Sequence, residues 1–279
     1  MKSHERYVSP ESDYYLYSPS LTAQELFLYP LSCGHFIYEQ GYSLHRDSYD
    51  SFLLLYIEKG ALILDYSSTK TPVSAGQLIL LDCYKTYAYH TSEGFEAFWC
   101  HFDGIMASNL YESIVSHGGN VFSLTDHYII DNLTSIYRTF ASQDIIKEPL
   151  LSKYLNDILT ELLLSSSKVP SLYNYAKIAE ETISYMNQHF AEDISVPWLA
   201  DKAGLSQYHF IRSFKKETGF TPHEYIIYTR INAAKYLLKN TELPIKEICR
   251  QTGFSCESVF CNAFKQRLHL TPIQYRKKK

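Results

Sequence analysis

The chain has no Cys-x-x-Cys pair, no long apolar run and no third copy of the one segment it repeats. Each absence excludes something. Cys33, Cys83, Cys100, Cys249, Cys256 and Cys261 lie within apolar or helical patterns and read as free, buried thiols rather than a redox or zinc motif. MKSHERYVSPESDYY contains no signal-peptide core, and no later stretch approaches the roughly eighteen uncharged apolar residues of a membrane span. A cytoplasmic location without a membrane partner is therefore expected. A segment present twice is too short an array for a solenoid, which needs about three or more copies.

What the chain does have is charge asymmetry. Residues 1–171 carry ten Lys and Arg against twenty Asp and Glu, and residues 172–279 carry sixteen against ten, within an overall net charge of -4. A basic C-terminal part ending Arg276-Lys277-Lys278-Lys279 suits a polyanion, whereas the acidic N-terminal part does not. Length and a hydrophobic content of 46% are those of a folded protein of two domains.

The repeat lies in the basic part. FKKETGFTPHEYI from Phe214 returns as FKQRLHLTPIQYR from Phe264, and Leu199-Ala200 with Gly204 matches Ile248-Cys249 with Gly253. From Tyr173 onward the pattern is helical. Ser195 before Val196-Pro197, Thr221-Pro222-His223-Glu224 and Thr271-Pro272-Ile273-Gln274 mark helix starts, because the hydroxyl accepts from an orphan N–H while Glu224 or Gln274 reaches back. Each copy reads as helix, glycine turn and second helix, the geometry of a helix-turn-helix. Phe210 with Phe214, and Phe260 with Phe264, share one face at four-residue spacing and are expected in the core, leaving the opposite face for contact.

Through LADKAGLS, FKKETGFTPHEY, RINAAKYLLKN, IKEICRQTGF and FKQRLHLTPIQYR, residues 173–279 resemble the DNA-binding domain of the AraC/XylS family of transcription regulators. The resemblance implies two helix-turn-helix units joined by a rigid helix from Thr221 to about Lys239, with double-stranded DNA as partner. It implies base contacts from Gln207, Tyr208, Ile211 and Arg212, and from Glu257, Ser258, Cys261 and Asn262 in the second unit. Arg212 is the strongest of these, since a guanidinium donates two hydrogen bonds to guanine. The second unit departs from the pattern at Asn262, Val259 and His269, which stand where a basic residue, an aromatic or polar residue and a glycine are usual. Asn262 suits adenine and Glu257 suits cytosine; the alternative is that this unit holds the backbone alone. Lys215, Lys216, Lys265, Arg267 and Arg276 are phosphate-side candidates.

The N-terminal part is strand-like from about Glu25 to Phe102. YDSFLLLYIEKGALILDYSS reads as two apolar runs broken at Lys59-Gly60, followed by VSAGQLILLDCYKTYAYHT and FEAFWCHFDG, the spacing of a small antiparallel barrel or sandwich. After Asp126 the spacing becomes helical. Leu150, Leu151, Tyr154, Leu155, Ile158, Leu159, Leu162 and Leu163 form one broad stripe, which either packs on the chain's own barrel or also meets a second subunit. SSSKVPS has a linker's composition. An α+β protein is expected: a barrel over 1–125, dimerisation helices over 126–165, a linker over 166–172 and the helical unit over 173–279.

Residues 15–105 resemble the cupin-type sensory barrel that precedes this DNA-binding domain in many family members. Enzymatic cupins hold a metal through a His-x-His cluster, for which this chain has His45-Arg46-Asp47, so no metal and no cofactor are expected. A metal-free barrel rich in aromatics suits a polar ring such as a sugar. His45, Arg46, Tyr84, Tyr87, Tyr89, His90, Trp99 and His101 are its candidate contacts. The implied protein is a homodimeric, effector-responsive regulator, an activator with RNA polymerase as a partner. A barrel that only dimerises and a cupin isomerase or dioxygenase are the competing expectations.

Overall fold

In the computed structural model one strand organises the N-terminal half. β4 (Phe52–Tyr66) runs antiparallel between β8 (Phe95–Gly104) and β6 (Gln77–Asp82) over its first part, and between β5 (Thr69–Ser74) and β7 (Tyr87–His90) over its second. The two apolar runs are thus one strand. The register shifts between Ile57 and Lys59, and Gly60 has φ +75°, so the Lys59-Gly60 break turns β4 from one sheet into the next without ending it. A Cβ on Gly60 would lie 2.3 Å from the Gly94 carbonyl oxygen.

The first sheet continues from β8 through β2 (Leu28–Tyr38) to β1 (Asp13–Leu16), and from β6 to β9 (Val121–Ser123). β3 (Ser43–Arg46) pairs with β7. No pairing among the described residues joins the outer edges, so the cupin-like barrel is open. The described residues are all except 4, 125, 143–144, 167–172 and 279, and they divide into two compact units, 1–169 and 170–279. The linker expected over 166–172 lies, apart from Ser166, outside them.

Alternation along β4 serves two cores. Leu53, Leu55 and Ile57 join Phe36, Tyr38, Tyr87 and Tyr89, while Phe52 and Leu54 join Leu78, Leu80, Cys100 and Phe102 beneath the helices. Those helices are α2 (Ala107–Gly118), α3 (Tyr128–Ala141) and α4 (Glu148–Ser166), with the short α1 (Leu21–Leu26) before β2. α2 and β9 precede Asp126, where sequence periodicity first turns helical, because Ser, Asn and His dilute the apolar pattern of ASNLYESIVSHG. The α4 stripe is consumed within the same unit: Leu151, Leu155, Ile158, Leu159 and Leu162 are buried under the sheet, and Leu150 is 38% exposed.

The second unit is helical throughout: α5 (Tyr173–His189), α6 (Val196–Lys202), α7 (Gln207–Thr218), α8 (Pro222–Asn240), α9 (Ile245–Gln251), α10 (Glu257–Leu268) and α11 (Pro272–Lys277). Ser195 accepts from Trp198 N–H, and Thr221 with Glu224 and Thr271 with Gln274 form reciprocal capping boxes. α8 supplies Ile226 to a core with Phe210 and Phe214, and Ile231, Ala234 and Leu238 to a second core with Phe260 and Phe264. α7 ends on Gly219 at φ +77°, but α10 ends on His269 at φ +56°, a left-handed conformation that a side chain disfavours. His269→Gly is expected to stabilise this unit by about 1 kcal/mol, read as a higher midpoint in urea denaturation. An unchanged or lower midpoint would refute that.

Candidate functional site

The duplication extends to exposure. Along α7 and along α10 the order is three exposed residues, a buried phenylalanine, then half-buried, exposed, half-buried and a second buried phenylalanine. Gln207, Tyr208 and Arg212 are exposed, as are Glu257, Ser258 and Asn262 at the matching places. Ile211 and Cys261 are half-buried against the two cores, so each offers only an edge to a groove. α7 begins on Ser206, whose hydroxyl accepts from His209 N–H, and has no acidic residue in its first turn. α10 begins on Cys256 with Glu257 next to it. Cys33, Cys83, Cys100 and Cys249 are buried, but Cys256 is exposed and Cys261 intermediate, so the expectation of buried thiols fails on this helix.

Lys215, Lys216 and Lys265 stand exposed. Arg267 is exposed as well but rests on aromatic rings, and Arg276 is half-buried. Arg267 lies over the Tyr228 ring at 4.5 Å and over the Phe220 ring at 5.6 Å, and Arg276 donates to the Leu243 carbonyl at 2.6 Å with its Nε buried. Arg276 is turned toward its own fold, because the α8–α9 connection presents that carbonyl beside α11.

Two residues outside the recognition helices set the two heads against each other. A Cβ on Gly253, at φ +75°, would meet the Ala191 backbone at 2.5 Å, so the turn of the second head lies directly on the segment leading into the first. Arg230 of α8 donates to the Phe190 and Glu192 carbonyls at 2.7 and 2.8 Å, and its guanidinium lies 5.8 Å from the Phe254 ring. The connecting helix is thus braced by a direct contact between heads; both residues lie in the motifs IKEICRQTGF and RINAAKYLLKN, but their partners at 190–192 come only from the tertiary approach.

The first unit holds a cavity of about 350 Å³. Arg46, Tyr89, Trp99 and His101 line it, together with Ser3, Glu5, Tyr14, Tyr38, Tyr42 and Tyr49. His45 and His90 do not: each neighbours a lining residue on its strand and therefore points to the other face, and His45 pairs with Asp47 at 3.5 Å. Tyr84 lies beyond β6, exposed, donating to Asp103 at 2.5 Å. Tyr87 is buried behind the wall and accepts from Arg46 at 3.3 Å. Glu5 accepts from Tyr42 at 3.2 Å, and no periodicity in the N-terminal segment marks it.

Arg46 is the fixed cation among the lining residues and forms no ion pair among the described residues; its guanidinium lies 5.0 Å from the Tyr49 ring. His101 is no second cation. Burial, and then the Arg46 charge, hold its imidazole from the ordinary 6.5 down to about 3, with Nδ1 2.8 Å from Ser51 Oγ. Trp99 Nε1 is buried without a hydrogen-bond partner.

An open antiparallel barrel with an internal cavity, followed by paired helix-turn-helix units, defines a sensory domain joined to a DNA-reading domain. Residues 29–159 match the model of an AraC-like ligand binding domain, and residues 199–278 match a helix-turn-helix domain. The chain is 29% identical over 161 residues to the probable transcriptional regulator LumQ of Photobacterium leiognathi, covering 57% of this chain and 63% of that one. It is 26% identical over 267 residues to the Msm operon regulatory protein of Streptococcus mutans, covering 89% and 93%, and 30% identical over 115 residues to the transcriptional activator RhaS of Escherichia coli, covering 41% of each. The chain belongs to the AraC family: it is a DNA-binding transcription regulator with a ligand-binding domain, and not an enzyme. None of its described helices is long and apolar enough to cross a membrane.

The buried imidazole gives the barrel a pH dependence of known sign. The folded state refuses the proton that an unfolded His101 takes up below about 6.5, so stability is intact above that pH and falls as pH drops from 6.5 toward 3. About 2 kcal/mol should be lost by pH 5, followed at Trp99 fluorescence in a Trp198→Phe background, and His101→Gln should flatten the slope. A slope that survives the substitution would assign it to other groups.

Proposed function

We propose that this chain is a cytoplasmic, homodimeric activator of carbohydrate-utilisation genes, whose barrel binds a sugar and alters how the two heads engage DNA. The observation that carries the DNA-reading part is the identical exposure pattern of α7 and α10 on one braced frame, with the polar residues of each on its open face. Gln207, Tyr208 and Arg212 read bases, with Lys215, Lys216 and Lys265 on phosphates. The second head, with Glu257 in its first turn and Asn262 where the first has Arg212, contributes less to sequence choice. In support of a dimer, Ile145, Leu150 and Leu164 stay exposed near the two ends of α4 after the sheet has covered its stripe. RNA polymerase is the further partner an activator requires, and one relative is itself an activator.

Binding to a duplex selected by the wild-type protein from a random library tests this reading. Affinity should fall steeply with salt. Arg212→Ala should lose about tenfold or more on the selected site and little on unrelated DNA, and Asn262→Ala should lose less. Salt-independent binding, or equal losses from both substitutions, would contradict it.

The cavity supports a small polar effector. Phenolic and indole faces suit the C–H surface of a ring, and Arg46, which feels the Glu5 carboxylate but forms no ion pair among the described residues, favours a sugar that bears an acidic group over a neutral one. Ser3 and Glu5 belong to the N-terminal segment, so filling the cavity bears on how that segment is seated. Thermal-shift titration with neutral sugars and sugar acids should raise the melting temperature for an acidic member of the panel, and Arg46→Gln should abolish that rise. The absence of any shift across the panel would favour a barrel that only dimerises.

A further inference from the structure

A second polar cluster sits in the first unit, on the face of the sheet turned away from the cavity. Three adjacent strands, β2, β8 and β4, each bring one donor to it: His35, Glu96 and Glu58. The pleat explains the convergence. Phe36 on β2, Phe95 and Ala97 on β8 and Ile57 on β4 belong to the cavity-side core, so their neighbours His35, Glu96 and Glu58 project the other way. Glu58 occupies the position where the β4 register shifts between Ile57 and Lys59, a bulge that re-aims its carboxylate at the neighbouring strands.

His35 Nε2 lies 3.1 Å from Glu58 Oε2 and 3.2 Å from Glu96 Oε1, and one donor atom from each of the three residues falls within 4.8 Å of the others. A neutral imidazole has a single N–H to give, yet two carboxylates meet this one nitrogen. Lys59 Nζ, 2.6 Å from Glu96 Oε2, compensates one of them and leaves the other without a cation of its own among the described residues. The spacing also fits a shared ion. Bonds of about 2.0–2.2 Å to nitrogen and oxygen set the donors of a tetrahedral zinc roughly 3.4 Å apart, close to the two distances found.

The surroundings hold the donors in place. The His35 ring stacks on Phe98 at 4.2 Å with the Tyr137 ring 6.3 Å away, and Lys59 fixes the far oxygen of Glu96, the kind of outer support that orients metal ligands. Glu58 is 39% exposed and Glu96 17%, so the site is open to entry from solvent and retains room for a water as fourth ligand.

We propose that His35, Glu58 and Glu96 form a site for a divalent transition metal, zinc in the first instance, which clamps β2, β8 and β4 together on the face that also meets Tyr137 of α3. The donor set of one imidazole and two carboxylates suits zinc and manganese better than a soft ion such as Cu(I). The site shares no residue with the cavity or the DNA-reading helices, so it stands or falls independently of the regulatory reading.

Calorimetric titration of the full chain with zinc chloride at neutral pH tests it. One saturable site per chain is expected, weakened at least tenfold by Glu58→Gln and by His35→Asn, and unchanged by Cys256→Ser, which removes the exposed thiol. Cobalt(II) at the same site should give the visible absorption of a four-coordinate ion, lost in Glu58→Gln. That substitution keeps the shape of an exposed side chain, and an unchanged circular dichroism spectrum certifies its fold. No saturable binding, affinity equal in the wild type and both ligand variants, or loss only in Cys256→Ser would each overturn the assignment.

Discussion

The first unit depends on β4 being buried on both faces. FLLLYI cannot leave either side in water, so one side must close a cavity and the other must be roofed by helices. Leu53 and Leu55 line the cavity, while Phe52 and Leu54, their immediate neighbours, lie in the core beneath α2, α3 and α4. A molecule that shifts one set displaces the other, because a strand moves as a unit and close-packed interiors transmit small displacements. The sensory role follows from this single element more directly than from any one lining residue.

The second unit solves a different problem, holding two small heads that each have little core of their own. α8 solves it in part by donating Ile226 to one core and Ile231, Ala234 and Leu238 to the other. Gly253 against Ala191 and Arg230 against the Phe190 and Glu192 carbonyls do the rest. A helix alone fixes a distance; the added contact also fixes rotation about its axis, which decides whether two recognition helices face the same side of a duplex.

What was legible in the amino-acid sequence was what is locally determined. The caps at Ser195, Thr221 and Thr271 form because hydroxyl, proline and Glu or Gln meet their own backbone within four residues. Strand continuity through Lys59-Gly60 was not legible, since a glycine at positive φ serves a bulge as well as a turn and only the neighbouring Gly94 decides between them. The cavity was half legible. Arg46, Tyr89, Trp99 and His101 line it, whereas His45 and His90 were excluded by the two-residue period itself, since adjacent strand residues cannot face the same way. Glu5 and Tyr42 come from turns and the N-terminal segment, where no period exists to follow.

The electrostatics of the cavity argue for selectivity by charge as well as by shape. Had His101 been protonated, it would have stood beside Arg46 as a second cation and held strongly charged anions indiscriminately. Burial and the guanidinium itself keep it neutral, so a hydrogen-bonding imidazole sits next to a single positive charge, with the Glu5 carboxylate also in the lining. Arg46 is half-buried, and the Glu5 carboxylate favours its charge without forming an ion pair with it, so under the proposed reading an acidic group supplies a direct partner that a neutral molecule does not, while a multiply charged anion meets repulsion from Glu5. On that proposal, the molecule that answers all three groups carries one acidic group and a hydroxylated or apolar body, and is preferred over neutral and multiply charged relatives.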